Sequence, residues 1–203
     1  MTILSQLGIS REAIYNSKIN HSKNFEATTV FDTIDNNPIK TSLCVFIDGS
    51  AINNGKHNCR ASYAAVFPHH ENLNISGVLS NNTSNTPTNN RAEYMACIKA
   101  LEQVNLYDPS GEIFLEIYSD SKLLIDSMTK WISNWRRNGW KTINNRDVLN
   151  KDLLEILDEM LKKRKVVWEH VKAHTGYKDF KSIWNDKADQ MAKEAVNTIH
   201  KKI

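Results

Sequence analysis

Four carboxylates lie far apart in this chain, each in a setting that could bring it to one metal site. Asp48 and Asp120 each end an apolar run of the kind that forms a buried strand. Glu93 lies near the start of one helical stretch, and Asp189 lies in another towards the end of the chain. Carboxylate oxygens suit hard cations such as Mg²⁺ or Mn²⁺. Two such ions held by shared carboxylates are a common means of cleaving a phosphodiester, which makes phosphoryl chemistry the first hypothesis.

Each of these residues also has a plainer interpretation. Asp120, which Ser121 follows, could simply cap a helix. Asp189 and its neighbour Asp186 could be surface charges on the last helix. Asp48 is harder to explain in this way, because a lone carboxylate at the end of an apolar strand is costly to bury without a partner or an ion.

The composition fits one domain and argues against several classes of protein. The 203 residues, 40% of them hydrophobic, can bury one good core. No apolar run approaches the roughly 20 residues of a membrane span, and the first residues lack the pattern of a secretion signal. Cys44, Cys59 and Cys97 are odd in number and widely spaced, which favours reduced, mostly buried thiols over zinc or disulfides. We therefore expect an intracellular protein, with cytoplasm, nucleus and organelle all open.

The net charge of +3 is distributed unevenly. Residues 130–151 hold six basic side chains against Asp147 alone, whereas residues 41–129 hold five basic and nine acidic ones. A basic block beside an acidic half is typical of a protein that binds a phosphate backbone and holds its own metal site. Ordinary solvated helix faces would give the same counts, so the charge pattern alone does not decide.

Hydrophobic periodicity predicts a mixed α/β order with one core and no internal repeat. A turn at Gly49 and Ser50 would end the first strand, the first three strands would form an antiparallel meander, and a crossing helix would return the fourth parallel to the first. The predicted strands are residues 43–48, 61–67, 73–79, 113–119 and 166–171. The predicted helices are residues 89–105, 121–127, 131–137, 146–161 and 184–197.

The chain divides by composition into one main domain and two short ends. Residues 1–40 are polar, Asn-rich and neutral, and they are interpreted as an N-terminal extension that is disordered or forms a short helix. Residues 41–199 are the predicted domain, and residues 200–203 are a basic tail.

Five short motifs occur in a fixed order along the chain. They are Thr88-Asn-Asn-Arg-Ala-Glu93, Tyr118-Ser-Asp-Ser121, the Trp-rich basic segment from Trp131 to Thr142, Val171-Lys-Ala-His-Thr-Gly176 and Asn185-Asp-Lys-Ala-Asp189. Each is weak alone, but in this order the chain resembles type 1 ribonuclease H from about residue 43 to residue 196. The resemblance implies a ribonuclease H-like fold, a five-stranded mixed sheet with helices on both faces. It also implies endonucleolytic hydrolysis of the RNA strand of RNA–DNA hybrids, leaving 5′-phosphate and 3′-hydroxyl ends.

Carried over position by position, the family's metal ligands fall on Asp48, Glu93, Asp120 and Asp189. The resemblance implies two Mg²⁺ ions, with Mn²⁺ as a substitute and no small-molecule cofactor. Asp48 would bridge both ions. Asp189 would complete the ion that activates the attacking water, whereas Glu93 and Asp120 would hold the ion at the leaving oxygen.

His174 completes the catalytic set that the resemblance implies. It lies in the loop after the last strand, where the family has a mobile histidine that helps proton transfer or product release. The part of this loop at residues 177–184 is a few residues longer than the family's usual pattern.

The resemblance also implies contacts with both strands of a hybrid. Asn54, Asn89 and Asn90 would read RNA 2′-hydroxyls in the minor groove, although asparagine also favours turns and caps. A tryptophan-walled channel and its basic side chains would hold the DNA strand, although at least one ring is expected to pack in the core. These residues are Trp131, Trp135, Arg136, Arg137 and Lys141, with Thr88 and Asn150 matching a DNA phosphate pocket. Many relatives carry Arg two residues before that threonine, where this chain has Thr86.

Two rival hypotheses remain open from the sequence. The chain could be the ribonuclease H fragment of a reverse transcriptase, or a hybrid-binding module without catalysis. No polymerase segment is visible, and the presence of all four carboxylates argues against a non-catalytic module. We expect a monomeric enzyme whose partner is an RNA–DNA hybrid.

Overall fold

The sheet of this protein has five strands in the spatial order β3-β2-β1-β4-β5. A computed structural model describes residues 42–80 and 86–198. β1 runs antiparallel to β2 and parallel to β4, β2 is antiparallel to β3, and β4 is parallel to β5. The predicted mixed sheet, with its meander and parallel return, is confirmed. The strands are β1 (Ser42–Ile52), β2 (Arg60–Val66), β3 (Ile75–Val78), β4 (Phe114–Ser119) and β5 (Val166–His170).

Helices pack on both faces of this sheet, as predicted. A π-helical turn, Ser127–Trp131, joins α2 to α3, so the two short helices predicted here form one nearly continuous helical run. The helices are α1 (Asn89–Tyr107), α2 (Lys122–Asp126), α3 (Ile132–Arg137), α4 (Lys151–Leu161) and α5 (Phe180–Asn197). The predicted extension at residues 1–40 and tail at residues 200–203 lie outside the described residues.

The predicted turn at Gly49 and Ser50 is wrong. Both residues continue β1 in its ladder with β2, where Gly49 pairs with Tyr63 and Ser50 with Ser62. The chain turns a few residues later, where Gly55 has a φ of 79°. Glycine normally signals a turn, but Gly49 serves a close approach between β1 and α1, which a sequence pattern does not reveal.

Two predicted helix starts are also wrong. α4 begins at Lys151 rather than at residue 146, because Asn150 adopts a left-handed φ of 59° and Leu149 is 83% exposed. α5 begins at Phe180 rather than at residue 184. Its cap is Asp179, whose Oδ1 accepts a hydrogen bond from the Ser182 N–H at 3.1 Å. Much of the longer loop noted after His174 is therefore the first turn of a helix.

The two faces of the sheet are packed by different kinds of side chain. On one face α1 approaches closely because its buried side chains Ala92, Ala96 and Ala100 are small. On the other face α5 covers a smaller cluster that includes Phe46, whose ring stacks on Tyr118 at 4.5 Å. These two layers hold the strands between them and fix the end of the sheet where the acidic residues lie.

A buried ion pair anchors the opposite end of the sheet. Arg164 Nη1 donates to Asp108 Oδ2 at 2.7 Å and to the Ile113 carbonyl at 3.0 Å. The partners precede β5 and β4 and follow α1. Because a buried charge is stable only when paired, this contact sets the start of the two parallel strands.

No helix within residues 42–80 and 86–198 combines the length and apolar character needed to cross a membrane. In the same part of the chain, Cys59 and Cys97 are buried, Cys44 is partly buried, and all three thiols are free.

Candidate active site

Three carboxylates from three different elements meet where the parallel strands end. Asp48 lies in β1, Asp120 follows β4, and Glu93 faces them from the first turns of α1. Each offers an oxygen atom, and these oxygens lie within 4.8 Å of one another. Asp48 and Glu93 are only 5% and 4% exposed. The structure thus brings together three of the four carboxylates singled out in the sequence.

Gly49 makes this convergence possible. A Cβ atom at this position would lie 2.5 Å from the Glu93 nitrogen and 2.8 Å from the Ala92 carbonyl carbon, and both are backbone atoms that cannot move aside. The backbone of Gly49 also acts on the carboxyl groups of Asp48 and Glu93, lowering the pKa of each and so opposing part of the effect of burial. The residue after the aspartate therefore sets the distance between β1 and α1.

The fourth carboxylate, Asp189, reaches the group from α5. It lies close enough to Asp48 to share a hydrogen bond with it, and its charge acts on Asp48 directly. Its Oδ2 atom also accepts an ion-paired hydrogen bond from Lys193 Nζ at 2.6 Å. Asp186, three residues earlier, is exposed.

Burial makes these acids hard to ionise together. It raises the pKa of Asp48 to about 8, and the charges of Asp120 and Asp189 add to the rise. Burial, followed by the charges of Asp48 and Asp120, also holds the pKa of Glu93 well above its ordinary value. The pKa of Asp120 is raised by burial too, although a hydrogen bond from Asn185 opposes the rise. Acids crowded in this way either keep a proton or bind a compensating cation.

The donor set fits a hard divalent cation. All the converging ligand atoms are carboxylate oxygens, which suit Mg²⁺ or Mn²⁺ better than zinc. Glu93 Oε2 is buried and has no hydrogen-bond partner within the described part of the chain. Since buried polar atoms are nearly always partnered, a bound cation is a physical explanation for this one.

Two histidines border the cluster on the side of Asp120. His174 is exposed, has a left-handed φ of 50°, and lies close enough for its charge to lower the pKa of Asp120. His170, at the end of β5, has its Nε2 atom 3.2 Å from the carbonyl oxygen of Asp120. The sequence analysis selected His174 and missed His170.

The asparagines predicted to read the minor groove lie beside Glu93. The backbone N–H of Asn89 donates to Asn54 Oδ1 at 3.1 Å, and Asn89 Nδ2 lies 3.5 Å from Glu93 Oε1. Asn90 is the next residue and is exposed. The loop after β1 and the start of α1 are thus tied together next to the carboxylates.

The tryptophans of the basic segment form a row of rings. Trp131 and Trp135 have ring centroids 5.7 Å apart, and Trp135 stacks on Trp140 at 6.4 Å. Trp135 and Trp140 pack against the main core, whereas Trp131 is exposed. The expectation that at least one ring packs inside is confirmed.

The basic side chains of this segment differ in how they are held. Arg136 is paired with the buried carboxylate of Asp158 through both Nε and Nη2. Lys141 pairs with the exposed Asp147 at 2.7 Å. Arg137 is exposed and, among residues 42–80 and 86–198, donates only to Asn134. Arg137 and Lys141 are therefore more available to a ligand than Arg136.

Thr88 and Asn150 are brought together through Arg91, which the sequence analysis did not select. Thr88 caps α1, because its Oγ1 atom accepts from the Arg91 N–H at 3.2 Å. The side chain of Arg91 extends to α4, where Nη1 donates to Asn150 Oδ1 at 3.3 Å and both Nη atoms reach Asp152.

Solved structures share this architecture. LC9-RNase H1, described as a type 1 RNase H with the type 2 active-site motif, superposes with a TM-score of 0.60 at 21% identity over 80% of this chain and 75% of that one. A foamy viral protease-reverse transcriptase in complex with an RNA/DNA hybrid gives a TM-score of 0.58 at 19% identity, covering 87% of this chain and 23% of that one. At such identities the likeness defines the fold, that of the ribonuclease H-like proteins.

The sequence comparisons define the family. The profile described as RNase H matches residues 40–197, so the chain belongs to the RNase H family. Ribonuclease H1 of Rattus norvegicus is 32% identical over 153 residues, which cover 75% of this chain and 50% of the relative. Ribonuclease H of Francisella tularensis subsp. novicida is 40% identical over 109 residues, covering 54% of this chain and 65% of the relative. The chain thus spans about half the length of the mammalian relatives it matches.

Several residues at the site were not selected from the sequence, and they differ in how readily a sequence pattern could have found them. Arg91 and Asn185 lie inside motifs that were quoted for other members, and Gly49 directly follows Asp48. Lys193 is one helical turn after Asp189, a spacing that often pairs opposite charges. His170 had no signal, because only the pairing of β4 with β5 brings it to Asp120.

Proposed function

We propose that this chain hydrolyses the RNA strand of RNA–DNA hybrids, as an endonuclease that leaves 5′-phosphate and 3′-hydroxyl ends. The observation that carries the proposal is the carboxylate cluster of Asp48, Glu93 and Asp120 in a chain of the RNase H family. The cluster is buried, has a raised proton affinity, and includes an oxygen without a partner among the described residues. Such a group has the chemistry of a metal site rather than that of a surface patch.

The residues that would hold two Mg²⁺ ions, or Mn²⁺ in their place, are Asp48, Glu93, Asp120 and Asp189. When bound, such ions neutralise phosphate charge and provide a water that is nucleophilic near neutral pH. Asp48 is the candidate shared ligand because it contacts both the cluster and Asp189. Asp189 would have to exchange its ion pair with Lys193 for this role.

His174 would carry a proton to or from the leaving oxygen, or assist product release. Its support is its position beside Asp120 in an exposed loop. His170 would hold that side of the site together, since its ring contacts the backbone that carries Asp120.

The hybrid would lie across the start of α1 and the Trp-rich segment. Asn54, Asn89 and Asn90, beside Glu93, would distinguish RNA by its 2′-hydroxyls. The DNA strand would follow the exposed Trp131 and its neighbour Trp135, with phosphates at Arg137 and Lys141. Thr88 and Asn150 would bind a further phosphate of the same strand. Arg136 contributes mainly by holding Asp158.

The two rival hypotheses receive less support. Foamy viral reverse transcriptases share the fold at about 20% identity, whereas ribonucleases H from a mammal and a bacterium reach 32% and 40%. A hybrid-binding module without catalysis does not require four acids, two of them buried, at one site. We also propose that the chain acts as a monomer.

A cleavage assay on matched duplexes tests the proposal. End-labelled RNA–DNA, RNA–RNA and DNA–DNA duplexes of one sequence are incubated with the chain in Mg²⁺, and in parallel with EDTA. The expected result is cleavage of the RNA strand in the hybrid alone, and only with metal. Binding of hybrid without cleavage under any divalent ion would favour the non-catalytic module instead.

A further inference from the structure

The side chain of Arg91 extends from α1 to the start of α4, where it makes several polar contacts. It is in α1, two residues before Glu93, yet its side chain is only 12% exposed. The guanidinium is held by Asp152 through two hydrogen bonds of 2.9 Å and 2.5 Å. It also donates to Asn150 Oδ1 at 3.3 Å.

This last bond fixes the orientation of the Asn150 amide. A guanidinium can only donate, so the oxygen of the amide must face Arg91 and the Nδ2 group must face away from it. Within the described part of the chain, Nδ2 forms no hydrogen bond of its own. Asn150 is further restrained by its left-handed backbone at the start of α4.

Thr88 is oriented by the same residue. Its Oγ1 atom accepts from the backbone N–H of Arg91, which leaves the hydroxyl hydrogen available to donate elsewhere. Thus one residue, through its backbone and its side chain, leaves one donor on Thr88 and one on Asn150. Thr86 provides no positive charge two residues before Thr88, whereas the guanidinium of Arg91 contacts Asn150 and its backbone N–H contacts Thr88.

We infer that Arg91 is a positioning residue for the DNA strand, which orients Thr88 and Asn150 to bind one backbone phosphate and adds positive charge behind them. The inference rests on the proposed function, since it assigns a task within hybrid binding. Asp152 pairs with the guanidinium and offsets part of its charge.

The test measures hybrid binding phosphate by phosphate. Hybrids are prepared with one uncharged methylphosphonate at successive positions of the DNA strand, and affinities for the full chain are measured in EDTA. The variants are Arg91→Gln, which removes the charge and the paired guanidinium donors, and Asp152→Asn, which breaks the same ion pair but leaves Arg91 in place. Lys99→Gln is the control for losing a cation from α1, because Lys99 pairs with Glu102 on that helix. Thermal unfolding of each variant is recorded alongside.

In the unchanged chain, one methylphosphonate position should weaken binding about tenfold, as expected for a lost hydrogen bond to a charged group. Arg91→Gln should bind the unmodified hybrid about tenfold more weakly. It should bind the hybrid with the methylphosphonate at that position no more weakly than the unmodified hybrid. Asp152→Asn should still bind the hybrid with the methylphosphonate at that position about tenfold more weakly than the unmodified hybrid. It should bind the unmodified hybrid as well as the unchanged chain or more tightly, since the charge of Arg91 is then less offset. Lys99→Gln should behave like the unchanged chain.

Two outcomes would overturn the inference. If Arg91→Gln keeps the weakening at the same position, Arg91 does not orient the phosphate ligands. If Asp152→Asn loses affinity and also loses the weakening at that position, as Arg91→Gln does, the ion pair between α1 and α4, rather than the Arg91 guanidinium, positions Thr88 and Asn150. Failure of the proposed function is separate, because it would appear as unchanged duplexes in the cleavage assay with Mg²⁺.

Discussion

Asp186 and Asp189 lie three residues apart on α5, but only Asp189 contacts Asp48. Asp189→Asn should therefore lower turnover in Mg²⁺ by orders of magnitude, because it removes an anionic ligand without changing the size of the side chain. Asp186→Asn should cost little, since Asp186 is exposed. Steady-state cleavage of a labelled hybrid by the two variants makes the comparison. An inactive Asp186→Asn beside an active Asp189→Asn would mean that the ligand has been assigned to the wrong residue.

Asp48 gives a prediction about stability and pH in the metal-free protein. Its pKa in the folded chain is raised from 3.8 to about 8, by burial first and then by Asp120 and Asp189. The unfolded chain therefore loses this proton first, and stability falls as pH rises from about 4 to about 8. Asp48→Asn should remove this contribution and be more stable than the unchanged chain at pH 8 by a few kcal/mol, at about 1.4 kcal/mol per pKa unit.

Urea unfolding at pH 5 and at pH 8, with EDTA present, measures this difference. The gap between Asp48→Asn and the unchanged chain should widen towards pH 8. Adding Mg²⁺ should then reverse it, because a ligand that binds only the folded state stabilises it. A gap that does not depend on pH would show that Asp48 is ionised in the folded, metal-free protein.

β1 and α1 depend on Gly49 for their separation. Gly49→Ala should destabilise the fold and reduce cleavage, because the added Cβ would lie 2.5 Å from backbone at Glu93 and would push α1 away from Asp48. Ser50→Ala, at the next position of the same strand, is the matched control and should unfold close to the unchanged chain. Thermal unfolding and turnover of both variants test this, and a fully stable, active Gly49→Ala would contradict the close approach.

The Trp-rich basic segment should separate into a structural part and a binding part. Arg136→Ala leaves the buried Asp158 carboxylate unpaired, so the protein should lose about 2 kcal/mol of stability. Arg137→Ala combined with Lys141→Ala should spare stability, since an exposed ion pair such as that of Lys141 is screened by solvent and contributes little. The double variant should instead flatten the salt dependence of hybrid binding, by about 0.9 in log K per log salt for each lost phosphate contact.

Denaturant unfolding and hybrid titrations at several salt concentrations distinguish these effects. An unchanged salt slope in the double variant would mean that Arg137 and Lys141 are only solvated surface. A salt slope that falls in Arg136→Ala, without a loss of stability, would mean that Arg136 binds phosphate despite its pairing with Asp158.

The apolar runs predicted the strands well, because a strand covered on both faces needs consecutive buried side chains. The predicted turn and helix starts were wrong where the same residue type occurs in two different structural settings. Gly49 had the signature of a turn but serves a close approach, and Leu149 continued a helical period but lies exposed before α4. Phe180 belongs to a helix that begins four residues early, because Asp179 caps it and no apolar repeat marks that turn.

The site could be predicted only as far as its motifs extend. The converging acids could be located because each lies in a short local pattern of the sequence. The fold brings three of them within reach of one another. The contact of His170 with Asp120 depends on the pairing of β4 with β5, and the role of Arg91 depends on where α4 begins. Such contacts join residues about 50 or more positions apart, which a local pattern cannot specify.

The most direct measurement is the turnover of hybrid by Asp48→Asn over a range of Mg²⁺ concentrations, with folding and hybrid binding checked on the same sample. If the fold exists to gather carboxylates around metal ions, the variant should be folded, bind hybrid nearly as well as the unchanged chain, and show no cleavage at any Mg²⁺ concentration. The unchanged chain should cleave with a saturable dependence on Mg²⁺ and stop in EDTA. Normal turnover by a folded Asp48→Asn, or cleavage that continues in EDTA, would contradict the assignment of this cluster as the catalytic metal site.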